Sequence, residues 1–112
     1  MTIIALLRNE NGHMKNLLPK VAVSNQSEFR FWNLPSVSTM PVLVTAEFIW
    51  AEGETHFSRH RYQITGYVYD KASEAYVGRL RLVTRRKYPG LDDVDEINVL
   101  EPERQTIISK LK

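Results

Sequence analysis

Arg59-His60-Arg61-Tyr62-Gln63-Ile64-Thr65-Gly66-Tyr67-Val68-Tyr69, followed by Val77-Gly78-Arg79-Leu80-Arg81-Leu82-Val83-Thr84-Arg85, is the stretch that decides the fold. Both runs alternate with period two, as strands with one buried face do. In the first, His60, Tyr62, Ile64, Gly66 and Val68 share a face, opposed by Arg59, Arg61, Gln63, Thr65, Tyr67 and Tyr69. In the second, Gly78, Leu80, Leu82 and Thr84 oppose Val77, Arg79, Arg81, Val83 and Arg85. A loop from Lys71 to Ala75 sets Ile64 against Leu82 and Gly66 against Leu80, with Thr65 opposite Arg81 and Tyr67 opposite Arg79. A slip of one residue would mix the faces, which a half-buried sheet avoids. The hairpin thus has an apolar inner face and a basic, aromatic outer one.

Working outward, Glu52-Gly53 reads as a two-residue turn that places Phe48 opposite Phe57. Continuing that register would bury Arg59 against Ala46. A bulge at Ser58-Arg59 restores Tyr62 and Ile64 opposite Val44 and Val42. Polar and breaker residues delimit strands near 2–8, 28–34, 42–51, 55–69, 76–87 and 95–100. Residues 13–23 are ambiguous, because Pro19 breaks a helix begun at Lys15. Gly66 and Gly78 on the concave side favour curling. Glu101-Pro102-Glu103, the Ile107, Ile108 and Leu111 stripe, and terminal lysines predict a short C-terminal helix. The fold expected is mostly β (all-β or α+β), a curled antiparallel sheet or small half-open barrel of five to seven strands plus that helix. Its expected core includes Phe29, Phe31, Val44, Phe48, Tyr62, Ile64, Val68, Leu80 and Leu82.

The 112 residues fit a single domain, and the 43% hydrophobic and 25% charged residues are ordinary globular values. With no cysteine, disulfides, thiolate metal sites and Cys nucleophiles are excluded. Met1 to Leu7 is apolar but ends at Arg8, too short for a signal peptide or a span of ~20 residues, and reads as a buried first strand in a cytoplasmic chain.

Charge is unevenly spread although the net value is only +2. Residues 59–90 carry eight Lys or Arg against two acids, and residues 91–112 carry six acids against three bases. Arg59, Arg61, Arg79, Arg81 and Arg85 with Tyr67 and Tyr69 form the candidate binding surface. The first reading is a non-catalytic interaction protein that forms a homo-oligomer, dimer or higher, through this Arg- and Tyr-rich face. Edge strands and the apolar Val77, Val83, Tyr67 and Tyr69 on the outer side support it. The alternative is single-stranded nucleic acid on the same face, arginines meeting phosphates and tyrosines stacking bases. Asp92, Asp93, Asp95 and Glu96 folding back, or Glu47 from the other side, would blunt that field. A third reading is a small-molecule barrel with Trp32 and Trp50 as pocket walls.

Catalytic and metal chemistry find no support. His56 and His60 lie ~13 Å apart on a strand, too far to share a metal, so His60 is expected at the rim. Asp92 to Glu96 lacks the glycine and distant glutamate of an EF-hand loop. No nucleophile elbow, P-loop, Rossmann glycine pattern or H-E-x-x-H is present. No cofactor is implied.

Overall fold

The computed structural model describes residues 2–4, 7–10, 12–16, 21–23, 27–49, 53, 59–89 and 97–112. The elements are β1 (Thr2–Ile4), β2 (Leu7–Glu10), β3 (His13–Asn16), β4 (Val21–Val23), β5 (Ser27–Trp32), β6 (Val42–Ile49), β7 (Arg61–Asp70), β8 (Ala75–Val83) and α1 (Leu100–Leu111). The chain is mostly β. One antiparallel sheet runs in the order β5-β6-β7-β8 and is unclosed among the described residues; α1 packs on one side of it. No helix among the described residues is long and apolar enough to cross a membrane.

The N-terminal segment replaces the single expected strand at 2–8 with two, and the ambiguous stretch 13–23 with two more. Strand β1 pairs with β4 and β2 with β3, both antiparallel. Glu10 pairs with His13 across Asn11-Gly12, and Gly12 has φ 85°. Glycine takes that left-handed conformation without Cβ strain. The expected burial of the first strand lies outside the described side chains.

The inner face of the main sheet unites Trp32, Val42, Val44, Ala46, Tyr62, Ile64 and Val68 with Ile97, Val99, Leu100, Ile107 and Leu111 of the C-terminal segment. Leu80, Leu82 and Phe48 are partly buried against them. At Gly66 a Cβ would stand 3.2 Å from Leu111 Cδ2, so its missing side chain lets α1 approach β7.

Register corrects the sequence reading in three places. Between β6 and β7, Ala46 faces Ile64 and Phe48 faces Tyr62, rather than Val42 facing Ile64 and Val44 facing Tyr62. The faces survive because the displacement is an even number of residues. Phe48 faces Tyr62, not Phe57. Gly53 takes the positive φ of 81° that the expected turn needs, while Glu52 lies outside the described residues. Phe57 and Ser58 lie outside the described residues.

Between β7 and β8, Ile64–Leu82, Thr65–Arg81 and Gly66–Leu80 pair as expected. The ladder then shifts, with Tyr67 facing Gly78 rather than Arg79. Arg79 is the extra residue of a bulge, so the parity of β8 reverses beyond it. Gly78 comes to the outer face beside the Tyr67 ring, and Val77 comes opposite the buried Val68. The loop shortens to Lys71–Glu74, with Glu74 at φ 53°.

The third correction concerns the strand expected at 95–100. Residues 97–99 are irregular, and Leu100 opens α1. The helix uses the anticipated stripe, burying Ile107 and Leu111. Its start is satisfied from outside. Glu28 on β5 accepts the Val99 N–H at 2.8 Å and the Leu100 N–H at 2.9 Å through Oε1. Pro102 carries no N–H, removing one of the donors that a helix start leaves orphaned.

Candidate functional site

Helix α1 covers one side of the main sheet; on the other side Leu43, Thr45 and Thr65 of the central strands are also buried, and exposure is concentrated at the two edges. Pairing across its strands gives two rows on this outer face. One runs Phe31, Leu43, Tyr67, Gly78 and the next Phe29, Thr45, Thr65, Arg81. The β5 edge is aromatic, with Phe29 36% and Phe31 40% exposed. The β8 edge carries exposed Arg81 and Val83, the latter 50% exposed.

Phe29 and Phe31 were expected in the core, and the structure reverses this. Alternation along β5 sends Glu28, Arg30 and Trp32 to the inner side instead. A strand with a glutamate and an arginine on one face and two phenylalanines on the other would ordinarily bury the phenylalanines. Here Glu28 is only 5% exposed because it meets the start of α1, and Trp32 is buried with the Arg104 guanidinium 4.8 Å from its ring centre. Helix capping and indole burial together fix the orientation of the strand.

The sequence-derived arginines do not make one continuous surface. Arg61 and Arg81 share the outer face with half-buried Tyr67 and Tyr69. Tyr69 packs edge-on against Tyr76 at 5.8 Å. Tyr76 itself is buried and donates to the Pro41 carbonyl at 2.6 Å; burial first, then Tyr69, pushes its phenol up. Arg79 is displaced to the bulge. Arg59 is exposed just ahead of His60. Arg85 leaves the sheet altogether, for a reason visible in the backbone.

Past β8, Thr84 N–H donates to Tyr62 O at 2.9 Å, and the ladder resumes only at the His60–Tyr88 bridge, with bonds of 3.0 and 2.7 Å. Three residues, Arg85-Arg86-Lys87, therefore stand opposite the single Arg61. They loop out as an exposed basic corner. Thr84 Oγ1 holds the corner from both sides, accepting from Tyr62 N and donating to Arg86 O at 2.8 Å. Consecutive cationic residues were legible as charge, but not as a loop.

His60 is fully buried, with its ring 5.1 Å from Phe48, rather than at the rim. His56, Trp50 and the acidic run Asp92 to Glu96 lie outside the described residues. Among the described residues no three His, Asp or Glu converge as metal ligands. Glu47 stands opposite Gln63, diagonal to Arg61, and makes no ion pair with Arg61 or Arg81. Trp32 lines a cleft of about 460 Å³ with Glu28, Arg30, Glu101 and Arg104 at the start of α1.

Compared with protein-family models, curated proteins and solved structures, the chain matches none.

Proposed function

We propose that this protein is a non-catalytic interaction module that pairs with a second copy of itself through the outer face of sheet β5-β6-β7-β8. The observation that carries the proposal is the segregation of that face. Exposed Phe29 and Phe31 occupy one edge, and Arg81 with Val83 the other. A two-fold axis running along the strands between two copies lays the β5 edge of each over the β8 edge of the other. Phenylalanine then meets arginine and valine, and no arginine is forced onto its own copy.

Exposure on this face is concentrated at its edges. Leu43, Thr45 and Thr65 in the central strands are buried, so Phe29 and Phe31 on β5 and Arg81 and Val83 on β8 supply the contacts. A contact of that extent is expected to be small and reversible. Closure toward a half-open barrel of five to seven strands belongs to the same proposal, since edge pairing with a further strand would supply the missing ladder.

The test is solution mass against concentration, for the wild type and for Phe29→Ser/Phe31→Ser. Both side chains are partly exposed, so the double variant should fold. A concentration-dependent dimer that the variant loses supports the proposal; a strict monomer throughout overturns it.

A second reading, single-stranded nucleic acid on the same face, is favoured by one observation. Arg81, diagonal to Tyr67, and Arg61, further along the same face of β7, have no ion-pair partner among the described residues. Titrating labelled single strands at two salt concentrations tests it, because each phosphate contact releases counterions and steepens the salt dependence. Absence of binding at low salt removes this reading.

A further inference from the structure

A cleft of about 620 Å³ lies between the basic corner and α1, at the end of β8. Leu82 and Val83 of β8, Thr84, and Arg85 and Arg86 of the corner line one wall. Glu103, Thr106 and Lys110 line it from successive turns of α1. We propose that this cleft is a phosphate-binding site, taking the phosphoryl group of a small molecule or of a nucleic-acid backbone.

Three features carry it. The first is charge: Arg85, Arg86 and Lys110 face a single carboxylate, Glu103, and the surplus of two matches a phosphate dianion. The second is preorganisation. Arg86 Nη2 donates to Tyr88 Oη at 3.1 Å, and its guanidinium lies 5.3 Å from the Tyr88 ring centre. Tyr88 is itself buried and bridged to His60, while buried Thr84 ties the corner to β7. Guanidinium groups bind phosphate best when their donor fork is already held in place. The third is access. Arg85 and Lys110 are exposed, and neither has an ion-pair partner among the described residues. Glu103 restricts the ligand. It repels a bare anion and favours one that presents a hydroxyl or protonated oxygen to it.

Calorimetric titration of the full chain with inorganic pyrophosphate at low salt tests the site. Wild type should bind, and Arg85→Gln/Lys110→Gln should weaken binding about tenfold or more. Glu103→Gln should tighten it, an outcome that mere loss of structure does not produce. Arg86→Lys, which keeps the charge but not the fork, should weaken it several-fold. Arg61→Gln/Arg81→Gln should leave it unchanged, which separates this site from the outer face. Displacement of a labelled single strand by pyrophosphate assigns the site to backbone phosphate; binding without displacement assigns it to small phosphorylated molecules. No binding by the wild type, or equal binding by Arg85→Gln/Lys110→Gln, overturns the proposal. So does loss of binding confined to Arg61→Gln/Arg81→Gln.

Discussion

Replacing Glu28 by alanine should remove the β5 side chain that caps the start of α1. Its Oε1 accepts two backbone N–H groups, from Val99 and Leu100, in a position that is 5% exposed. Charge-assisted hydrogen bonds contribute about 1.5–3 kcal/mol each, so the pair is worth about 3–6 kcal/mol gross. Burying the carboxylate costs part of that, because an ion taken from water loses several kcal/mol of hydration. Loss of a helix cap on its own costs ~1 kcal/mol and up to ~2. Glu28→Ala is therefore expected to destabilise by about 2 kcal/mol, combining the cap loss with stranded donors. Glu28→Gln keeps an oxygen for both donors but loses the charge facing the helix start, and should cost about 1 kcal/mol. Arg30→Gln should cost less than ~1 kcal/mol, since its guanidinium is half exposed at 3.4 Å from Oε2. Urea unfolding reads all three as shifts of the midpoint at unchanged slope. An alanine variant within ~0.5 kcal/mol of wild type, the range of ordinary surface changes, would refute the capping argument.

Four further outcomes follow from buried residues. Gly66→Ala should cost little, because the one tight contact of its Cβ would be the movable end of Leu111 at 3.2 Å, with Leu80 Cβ at an ordinary 3.5 Å, whereas Gly66→Val should destabilise by about 1–3 kcal/mol through overpacking; equal midpoints for the two variants would contradict the close approach of α1. Burial first, and then Glu28, pushes the Tyr62 phenol from 10.0 up to about 12, so the unfolded chain gives up this proton before the folded one does. Stability should be unaffected by this group below about pH 10 and fall as pH rises toward 12, a step that Tyr62→Phe removes in unfolding curves measured across that range. The Tyr62 hydroxyl is buried with no hydrogen-bond partner, so the same variant should match or exceed wild-type stability near neutral pH in urea unfolding, where a clear loss would show a missed contact. Tyr76→Phe should lose ~1 kcal/mol in the same assay with its bond to Pro41 O, and no change would discount that bond.

The central alternation was legible because Ile64, Leu82 and their neighbours follow period two without interruption, and the C-terminal helix because Ile107 and Leu111 repeat at helical spacing. Local patterns of this kind need no knowledge of the partner element. The orientation of β5 was not legible. It depends on Glu28 meeting the Val99 and Leu100 amides from a distant part of the chain, a contact that makes a charged residue an inner one. The Arg79 bulge and the corner at Arg85 to Lys87 escaped for a related reason: inserted residues leave composition and charge unchanged while altering which side chains face together. The β2–β3 pair carries Asn-Gly between its strands, but its polar flanks lack the apolar alternation that makes that dipeptide a strong hairpin cue, so the sequence showed a break there and not two strands. Of the candidate surface, Arg61, Arg81, Tyr67 and Tyr69 were found from alternation, whereas Phe29, Phe31, Arg86 and Lys110 emerged only from the assembled sheet and helix.

Sedimentation equilibrium of the wild type beside Phe29→Ser/Phe31→Ser decides whether the outer face self-associates. A mass rising toward twice that of the 112-residue chain with increasing concentration is expected for the wild type, and a monomer mass for the variant. A wild type that stays monomeric, or a variant that dimerises as well as the wild type, would contradict self-association through the outer face.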